Sequence, residues 1–437
     1  MLYDQTLLDN PDTVSNSVSS RSVAPNRVMY VDHTAKIGGG EIAILNLIRS
    51  IDHTRFQPVF VLATSGPLVD RLHAAGIETH ILPLDPSIND VRKDSLGFSS
   101  LLRIREAVMI LRYIIRLSAL MRNLNVDLVH TNSLKAHIFG GVAARLAGKQ
   151  VVWHVRDAID DQYLPGIVAV TVRRLARVLP NYIVANSNST LGKLQLQLTK
   201  KTAIVYSGID SELPQLAGSS FVVHDACDPV SPNSSDSTSM VVRFNTPVVV
   251  TMVGRIAEWK GQHIFLKAAA KLLQKRSDII FQIVGAPLFG EHDYETSLHE
   301  LTNQLGIGEH VHFLGFREDV PQIVALCDIL VHASITGEPF GQVVIEGMAA
   351  AKPVIATNGG ALPEIVIDGV TGLLVEMGSV DAMASALEKV LASPAEAREM
   401  GLAGRQRVLE KFTLDRCAAE IHQVYEKMLQ NTDGAAA

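Results

Sequence analysis

Seven residues separate Glu338 from Glu346, and the stretch between them changes character. Gly337-Glu338-Pro339-Phe340-Gly341 is polar and punctuated by Gly and Pro, whereas Gln342-Val343-Val344-Ile345-Glu346-Gly347-Met348-Ala349 is an apolar helical run. The turn residues predict a helix start at about Phe340 or Gly341. Glu338 then lies on a loop, and Glu346 sits about one and a half turns into the helix. Unpaired backbone N–H groups at such a start, with the positive end of the helix dipole, suit a phosphate. A carboxylate on either side cannot bind phosphate but can accept hydrogen bonds from sugar hydroxyls. One phosphate site flanked by two acids describes a nucleotide-sugar site.

Cations stand where such a site needs them. Arg255 follows an apolar run over 247–253, and Lys260-Gly261 opens a helical pattern through Leu273, so both fall around one mouth. Two cations can hold a diphosphate and stabilise its charge as it leaves. Two surface residues paired with carboxylates such as Glu258 would give the same spacing. Val151-Val152-Trp153-His154-Val155-Arg156-Asp157 is a strand pattern ending in polar groups. Ligands of open α/β sheets sit beyond the carboxyl ends of strands, which makes His154 a candidate. A lone histidine on an apolar strand is as a rule a satisfied core residue, and Arg156 with Asp157 could equally be a structural salt bridge. Near the start, residues 27–33 form a short strand pattern leading into Ile37-Gly38-Gly39-Gly40-Glu41 and a helical run over 42–51. Gly39 and Gly40 let backbone approach a ligand closely, although a tight turn explains them as well. The loop is not a dinucleotide fingerprint.

The elements that must position these groups follow a β/α rhythm. Strand patterns fall at 58–62, 79–82, 126–130, 150–155, 182–185 and 203–206, with helical stretches at 101–124, 133–147 and 167–178. Further strand patterns fall at 247–253, 279–284, 310–314, 329–333 and 353–356. The fold class this implies is α/β, with two doubly wound, Rossmann-like parallel-sheet domains facing across a cleft. The divisions read as a leader over 1–26, a first domain over 27–212, a Ser-rich insert over 213–246, a second domain over 247–411, a last amphipathic helix over 412–430 and a tail over 431–437.

Glu338 through Glu346 resembles the E-x7-E motif of the family 4 retaining glycosyltransferases, which have the GT-B fold. Lys352-Pro353-Val354-Ile355-Ala356, Gly359-Gly360, Glu364-Ile365-Val366, Asp368-Gly369 and Thr371-Gly372-Leu373-Leu374-Val375 are similar to that family too. The resemblance is strongest over 251–375 and weaker over 28–210. Gly347 and Ala351 depart from the family's usual Ala and Gly, both small-for-small exchanges. The resemblance implies that Glu346 holds the ribose and Glu338 the donor sugar's hydroxyls, with His154 beside that sugar and its phosphates. It also implies that the Gly39/Gly40 loop faces the cleft, that backbone at Gly315 and Phe316 faces the base, that Phe340, Gly341 and Gln342 line the donor site, and that the last helix crosses back onto the first domain.

The expected reaction is transfer of a sugar from a UDP-, GDP- or ADP-sugar to an acceptor hydroxyl on a glycan or lipid-linked molecule, with retention and with no metal or other cofactor. No D-x-D pattern for a divalent ion is present. An epimerase or hydrolase on the same fold, or a non-catalytic nucleotide-sugar sensor, are the competing classes. Two free carboxylates flanking a scissile bond would suggest a hydrolase, but Glu346 is committed to ribose on this reading.

Bulk composition agrees. A chain of 437 residues exceeds one ordinary core, and 47% hydrophobic with 19% charged residues reads as globular. A net charge of −6 leaves no excess of Lys and Arg for general nucleic-acid binding. Cys227, Cys327 and Cys417 are too few and too far apart for a disulfide framework or metal site, which fits a cytoplasmic protein. Residues 101–124 carry five arginines against one glutamate on an apolar background. Such a helix either lies peripherally on an anionic membrane or covers a sheet with a solvated basic face, the commoner case.

Overall fold

The computed structural model describes residues 24–89, 103–161, 164–210, 247–288 and 290–433. The expected insert at 213–246, residues 1–23 of the expected leader, and Cys227 lie outside them.

The first sheet has seven strands: β1 (Asn26–Asp32), β2 (Phe56–Leu62), β3 (Glu78–Ile81), β4 (Leu128–Thr131), β5 (Gln150–Val155), β6 (Tyr182–Ala185) and β7 (Thr202–Ile204). They are parallel in the order β3-β2-β1-β4-β5-β6-β7. Its helices are α1 (Gly39–Ser50), α2 (Pro67–Ala74), α3 (Pro86–Asn89), α4 (Arg103–Asn123), α5 (Leu134–Ala147), α6 (Gly166–Leu175) and α7 (Asn188–Lys193). The second sheet has β8 (Val248–Val253), β9 (Ile279–Val284), β10 (Val311–Gly315), β11 (Ile329–His332), β12 (Val354–Thr357) and β13 (Leu373–Val375) in the order β10-β9-β8-β11-β12-β13. Around it lie α8 (Gln262–Leu273), α9 (His292–Gln304), α10 (Val320–Leu326), α11 (Gln342–Ala349), α12 (Leu362–Ile365), α13 (Val380–Ala392) and α14 (Pro394–Lys411). The last helix is α15 (Leu414–Asp433).

Both sheets are Val- and Ile-rich and covered on two sides, as parallel sheets require. In the first, α4, α5 and α6 pack on one face through Tyr113, Leu117, Ala143 and Val172. On the other, α1 packs beside α15, whose Ile421, Val424, Tyr425 and Met428 share one core with Tyr30, Phe56 and Leu128. Each buried Ile, Val or Met there contributes about 1.5–3 kcal/mol. The chain crosses between domains side by side with itself. Ile209 N–H donates to the Phe412 carbonyl at 2.9 Å, and Leu414 N–H donates back to Ile209 at 2.9 Å. Gly208 permits this approach, because a Cβ there would overlap the backbone of Thr413.

Two local expectations change. β13 adds a strand beyond the sequence pattern, because its three residues are too short to show a period. Gly39 and Gly40 are not a loop but the first two residues of α1, with Gly38 as the extended residue before it. The Glu41 carboxylate folds back over this helix start, against Gly38.

Candidate donor site at the strand exits of the second sheet

The strand order reverses at β8, which lies between β9 and β11, and crevices beyond the carboxyl ends at such a point hold ligands. Arg255 leaves β8 two residues past its end, and the loop bearing Glu338 leaves β11. Between Arg255 and Lys260 lies Trp259, a residue that spacing alone did not single out. Its ring carries Lys260 Nζ at 4.3 Å and the Arg255 guanidinium at 5.7 Å from its centroid, so both cations pack on one aromatic ring. Backbone bonds fix the pair further. Ile335 N–H donates to the Trp259 carbonyl at 2.9 Å, and Gln262 Nε2 donates to the Arg255 carbonyl at 2.8 Å. Arg255 Nη2 lies 3.7 Å from Glu291.

Lys260 Nζ donates to both oxygens of Glu338, at 2.9 and 2.8 Å. Ser334 Oγ donates to Glu338 Oε2 at 3.1 Å, and His332 Nε2 lies 3.3 Å from it. Burial pushes the Glu338 carboxyl up, but the Lys260 ammonium and the His332 bond outweigh it and hold the group well below the usual carboxylate range. The Glu338 backbone is fixed by Gly360, whose φ is +62° and where a Cβ would overlap the Glu338 carbonyl. Gly360→Ala is therefore expected to lose more than about 2 kcal/mol in denaturant unfolding, combining a left-handed backbone cost with this overlap. A change under half that would mean the loop is not pinned there.

Helix α11 begins at Gln342 with Gly341 as its cap residue, one or two positions later than the spacing implied, because Gly341 is left-handed at φ +104°. Glu346 is its fifth residue and leans toward the helix start, as helical side chains do. Desolvation pushes its carboxyl up to about 7, with Gln342 one turn earlier opposing the shift. Phe340 is a different case. Its ring is buried against Tyr206 and Phe412, 6.2 Å away in each pair, so the side chain belongs to the core and only its backbone faces the turn. Gly315 ends β10 in a left-handed conformation, and the Phe316 ring beside it is 58% exposed.

The first domain touches this loop directly. Ser187 Oγ donates to the Pro339 carbonyl at 2.7 Å and Thr190 Oγ1 donates to it at 3.2 Å. Glu364 accepts from the backbone N–H of Asn188 and Ser189 at 2.9 and 2.8 Å, capping α7 from the other domain.

His154 stands near the end of β5 in the first sheet. It is fully buried, with Nδ1 3.1 Å from His130 Nε2 and 3.4 Å from Arg156 Nη2. His130 Nδ1 in turn lies 2.7 Å from Tyr425 OH, which meets Tyr30 OH at 2.9 Å. Burial, then the Arg156 charge, push His154 well below its ordinary value, so it is neutral. With Nδ1 accepting from Arg156, the proton is on Nε2, which is buried and has no hydrogen-bond partner among the described residues. Arg156, two residues on, is only partly covered. It donates to Asn132 Oδ1 at 2.9 Å and Ser207 Oγ at 2.7 Å, not to Asp157 in these bonds. Burial lowers its guanidinium to about 10.

Arg156 leads to a polar group at the first sheet's own reversal point, between β1 and β4. Asp32 accepts from Ser133 Oγ at 2.7 Å and Asn132 Nδ2 at 2.9 Å. Burial raises its carboxyl, but the bonds from His33, Asn132 and Ser133 more than offset that and hold it low. Glu41 is pushed up to about 8 by desolvation and by the Asp32 charge. The signal was available: polar residues at the end of β1 and directly after β4 in an otherwise apolar pattern. Among the described residues, no cluster of three or more His, Cys, Asp or Glu is arranged to hold a metal.

Comparison with known proteins falls along the same two halves. Residues 37–213 match the family model described as Glycosyltransferase Family 4, and residues 239–407 match that described as Glycosyl transferases group 1. The spore coat protein SA of Bacillus subtilis is 27% identical over 233 residues, 52% of this chain and 59% of that protein. The D-inositol 3-phosphate glycosyltransferase of Corynebacterium diphtheriae is 33% identical over 181 residues, 40% of this chain and 42% of that protein. The matched segments thus span about half the length of these curated relatives. The crystal structure of Anabaena HepE in complex with UDP and glucose superimposes with a TM-score of 0.73 at 25% identity, covering 91% of this chain and 99% of that one. Two family models that together take in both domains, and two parallel-sheet domains matching a solved structure nearly end to end, place the chain among the group 1, family 4 glycosyltransferases with the GT-B fold.

Proposed function

We propose that the protein transfers a sugar from a nucleoside diphosphate sugar to an acceptor hydroxyl, with retention at the anomeric carbon and without a metal. The observation that carries this is the convergence of Arg255, Lys260 and Glu338 at the β8/β11 reversal point, beside the start of α11. Breaking the anomeric C–O bond places negative charge on the leaving diphosphate and positive charge on the sugar. Arg255, Lys260 and the α11 N–H groups meet the first. Glu338, kept ionised by Lys260, accepts hydrogen bonds from the donor sugar and favours the second. Glu346 accepts from the ribose, and the Gly315–Phe316 segment faces the base.

From the first domain, Arg156 is the group presented toward the donor, while neutral His154 supports it from beneath. The Asp32–Asn132–Ser133 cluster lies on the acceptor side. Closure of the two domains excludes water and protects the donor from hydrolysis. The base is uracil, guanine or adenine. UDP in the similar Anabaena protein supports a nucleotide donor. A glycan or lipid-linked acceptor suits synthesis of a cell-surface polysaccharide or glycolipid on the cytoplasmic side of a membrane.

The test is incubation with UDP-, GDP- and ADP-sugars, with and without glycan and lipid-linked acceptors, followed by NMR of the product's anomeric proton. Transfer with the donor's configuration kept is the expected result. Inversion at the anomeric carbon, or release of free sugar epimerised at C2, overturns it. So does tight donor binding with no turnover on any acceptor.

A further inference from the structure

The helices covering the outer side of the first sheet do not present the polar face that a solvated helix should. On α4, Val108, Leu111 and Ile115 are 40%, 54% and 52% exposed and follow one another at intervals of three and four residues. Arg105, Arg112 and Arg116 are exposed on the same side. On α6 and its following turn, Ile167, Val170 and Val178 are 56%, 41% and 66% exposed, with Arg174 and Arg177 exposed among them. Two helices thus share one pattern: large exposed aliphatics one or two turns apart, interleaved with arginine. Both pack on the same face of the sheet through one core. Glu106 at the edge of α4 and Asp161 ahead of α6, 3.6 Å from Arg173, are the acids nearest this face on those segments.

We propose that this face of the first domain binds an anionic lipid surface. Aliphatics enter the headgroup boundary while arginines pair with lipid phosphates, each basic group contributing about 1 kcal/mol near such a surface. Charge selects this occupant over a second copy of the chain. A two-fold dimer through the same patch would set arginine against arginine. None of the described helices is long and apolar enough to cross a membrane, so the contact is at the surface. Orientation fits an acceptor held in lipid. Helices in parallel β/α units run opposite to their strands, so the starts of α4 and α6 lie toward the carboxyl edge of the sheet, where the acceptor side of the cleft opens.

The experiment is co-sedimentation of the full chain with vesicles of phosphatidylglycerol and phosphatidylcholine in equal amounts, against vesicles of phosphatidylcholine alone. Binding to the first, weakened by added salt and absent with the second, is expected. Arg112→Glu with Arg116→Glu should weaken binding at least about tenfold. Leu111→Glu with Ile115→Glu should do the same, and melting temperatures report that both variants fold. The control Lys389→Glu with Arg398→Glu makes the same change in net charge on exposed residues of the second domain and should bind as the parent does. Equal loss in the control, no sedimentation with anionic vesicles, or a dimer dissolved by the Leu111 and Ile115 changes in place of vesicle binding would each overturn the proposal. Sedimentation is read without turnover, so its failure is separate from failure of the sugar-transfer reading.

Discussion

Lys260→Met is expected to lower kcat about 10²- to 10³-fold, the loss seen when one preorganised charge-stabilising donor is removed from a reacting site. The structure adds a complication, because the same ammonium holds Glu338. Their side chains are 16% and 13% exposed, so removing one leaves the other an uncompensated, partly buried charge, and the melting temperature should fall too. The double variant Lys260→Met with Glu338→Gln separates the two effects. It removes the stranded charge and should recover most of the lost melting temperature while turnover stays at the low level. If turnover returned along with stability, the ion pair would be a structural brace and the cationic clamp would lose its main support. Steady-state kinetics and thermal melts on the parent, the single variant and the double variant measure both quantities.

Glu346→Gln is expected to raise the donor KM about 10- to 100-fold, since hydrogen bonds to a charged acceptor are worth roughly 1.5–3 kcal/mol, with a smaller effect on kcat. The parent should show a pH signature that the variant lacks. Desolvation holds the Glu346 carboxyl protonated up to about pH 7, against an ordinary value of 4.5. Ribose hydroxyls donate to the ionised form, so a proton competes with the donor. The donor KM should then be roughly tenfold higher at pH 6 than at pH 8 and should level off above neutrality. Stability runs the opposite way. The folded chain holds this proton where the unfolded chain has lost it, so the group's contribution is complete below pH 4.5 and disappears as pH rises through 7. A donor KM that does not vary with pH in the parent, or that Glu346→Gln leaves unchanged, would remove Glu346 from the ribose.

The strands were legible because parallel strands buried on both faces write themselves as short runs of Val and Ile, as in β5 and β8. The helix carrying Glu346 was legible for the same reason, with Gly341 marking its start to within two positions. The partnerships were not. Lys260 and Glu338 are 78 residues apart, and nothing at either position shows that they bond to each other and not to separate parts of a ligand. That depends on β8 lying beside β11, a matter of strand order. His154 sits near the end of β5, where β4 supplies His130 and α15 supplies Tyr425 to enclose it, and such long-range burial leaves no local pattern. The hydroxyls of Ser187 and Thr190 give no local sign that they donate to the second domain's Pro339 carbonyl.

The return of α15 to the first sheet bears on how the polypeptide is made. Tyr30, from the earliest strand, waits for Tyr425 to close its hydrogen bond and its side of the core. Domains generally form in order of synthesis, yet here the leading half cannot finish until residues 417–428 have emerged from the ribosome, long after the trailing half has begun to collapse. Truncation before Cys417 should therefore expose the amino-terminal half to chaperones and proteases while sparing the carboxyl-terminal sheet, an asymmetry opposite to the one that chain order alone would suggest.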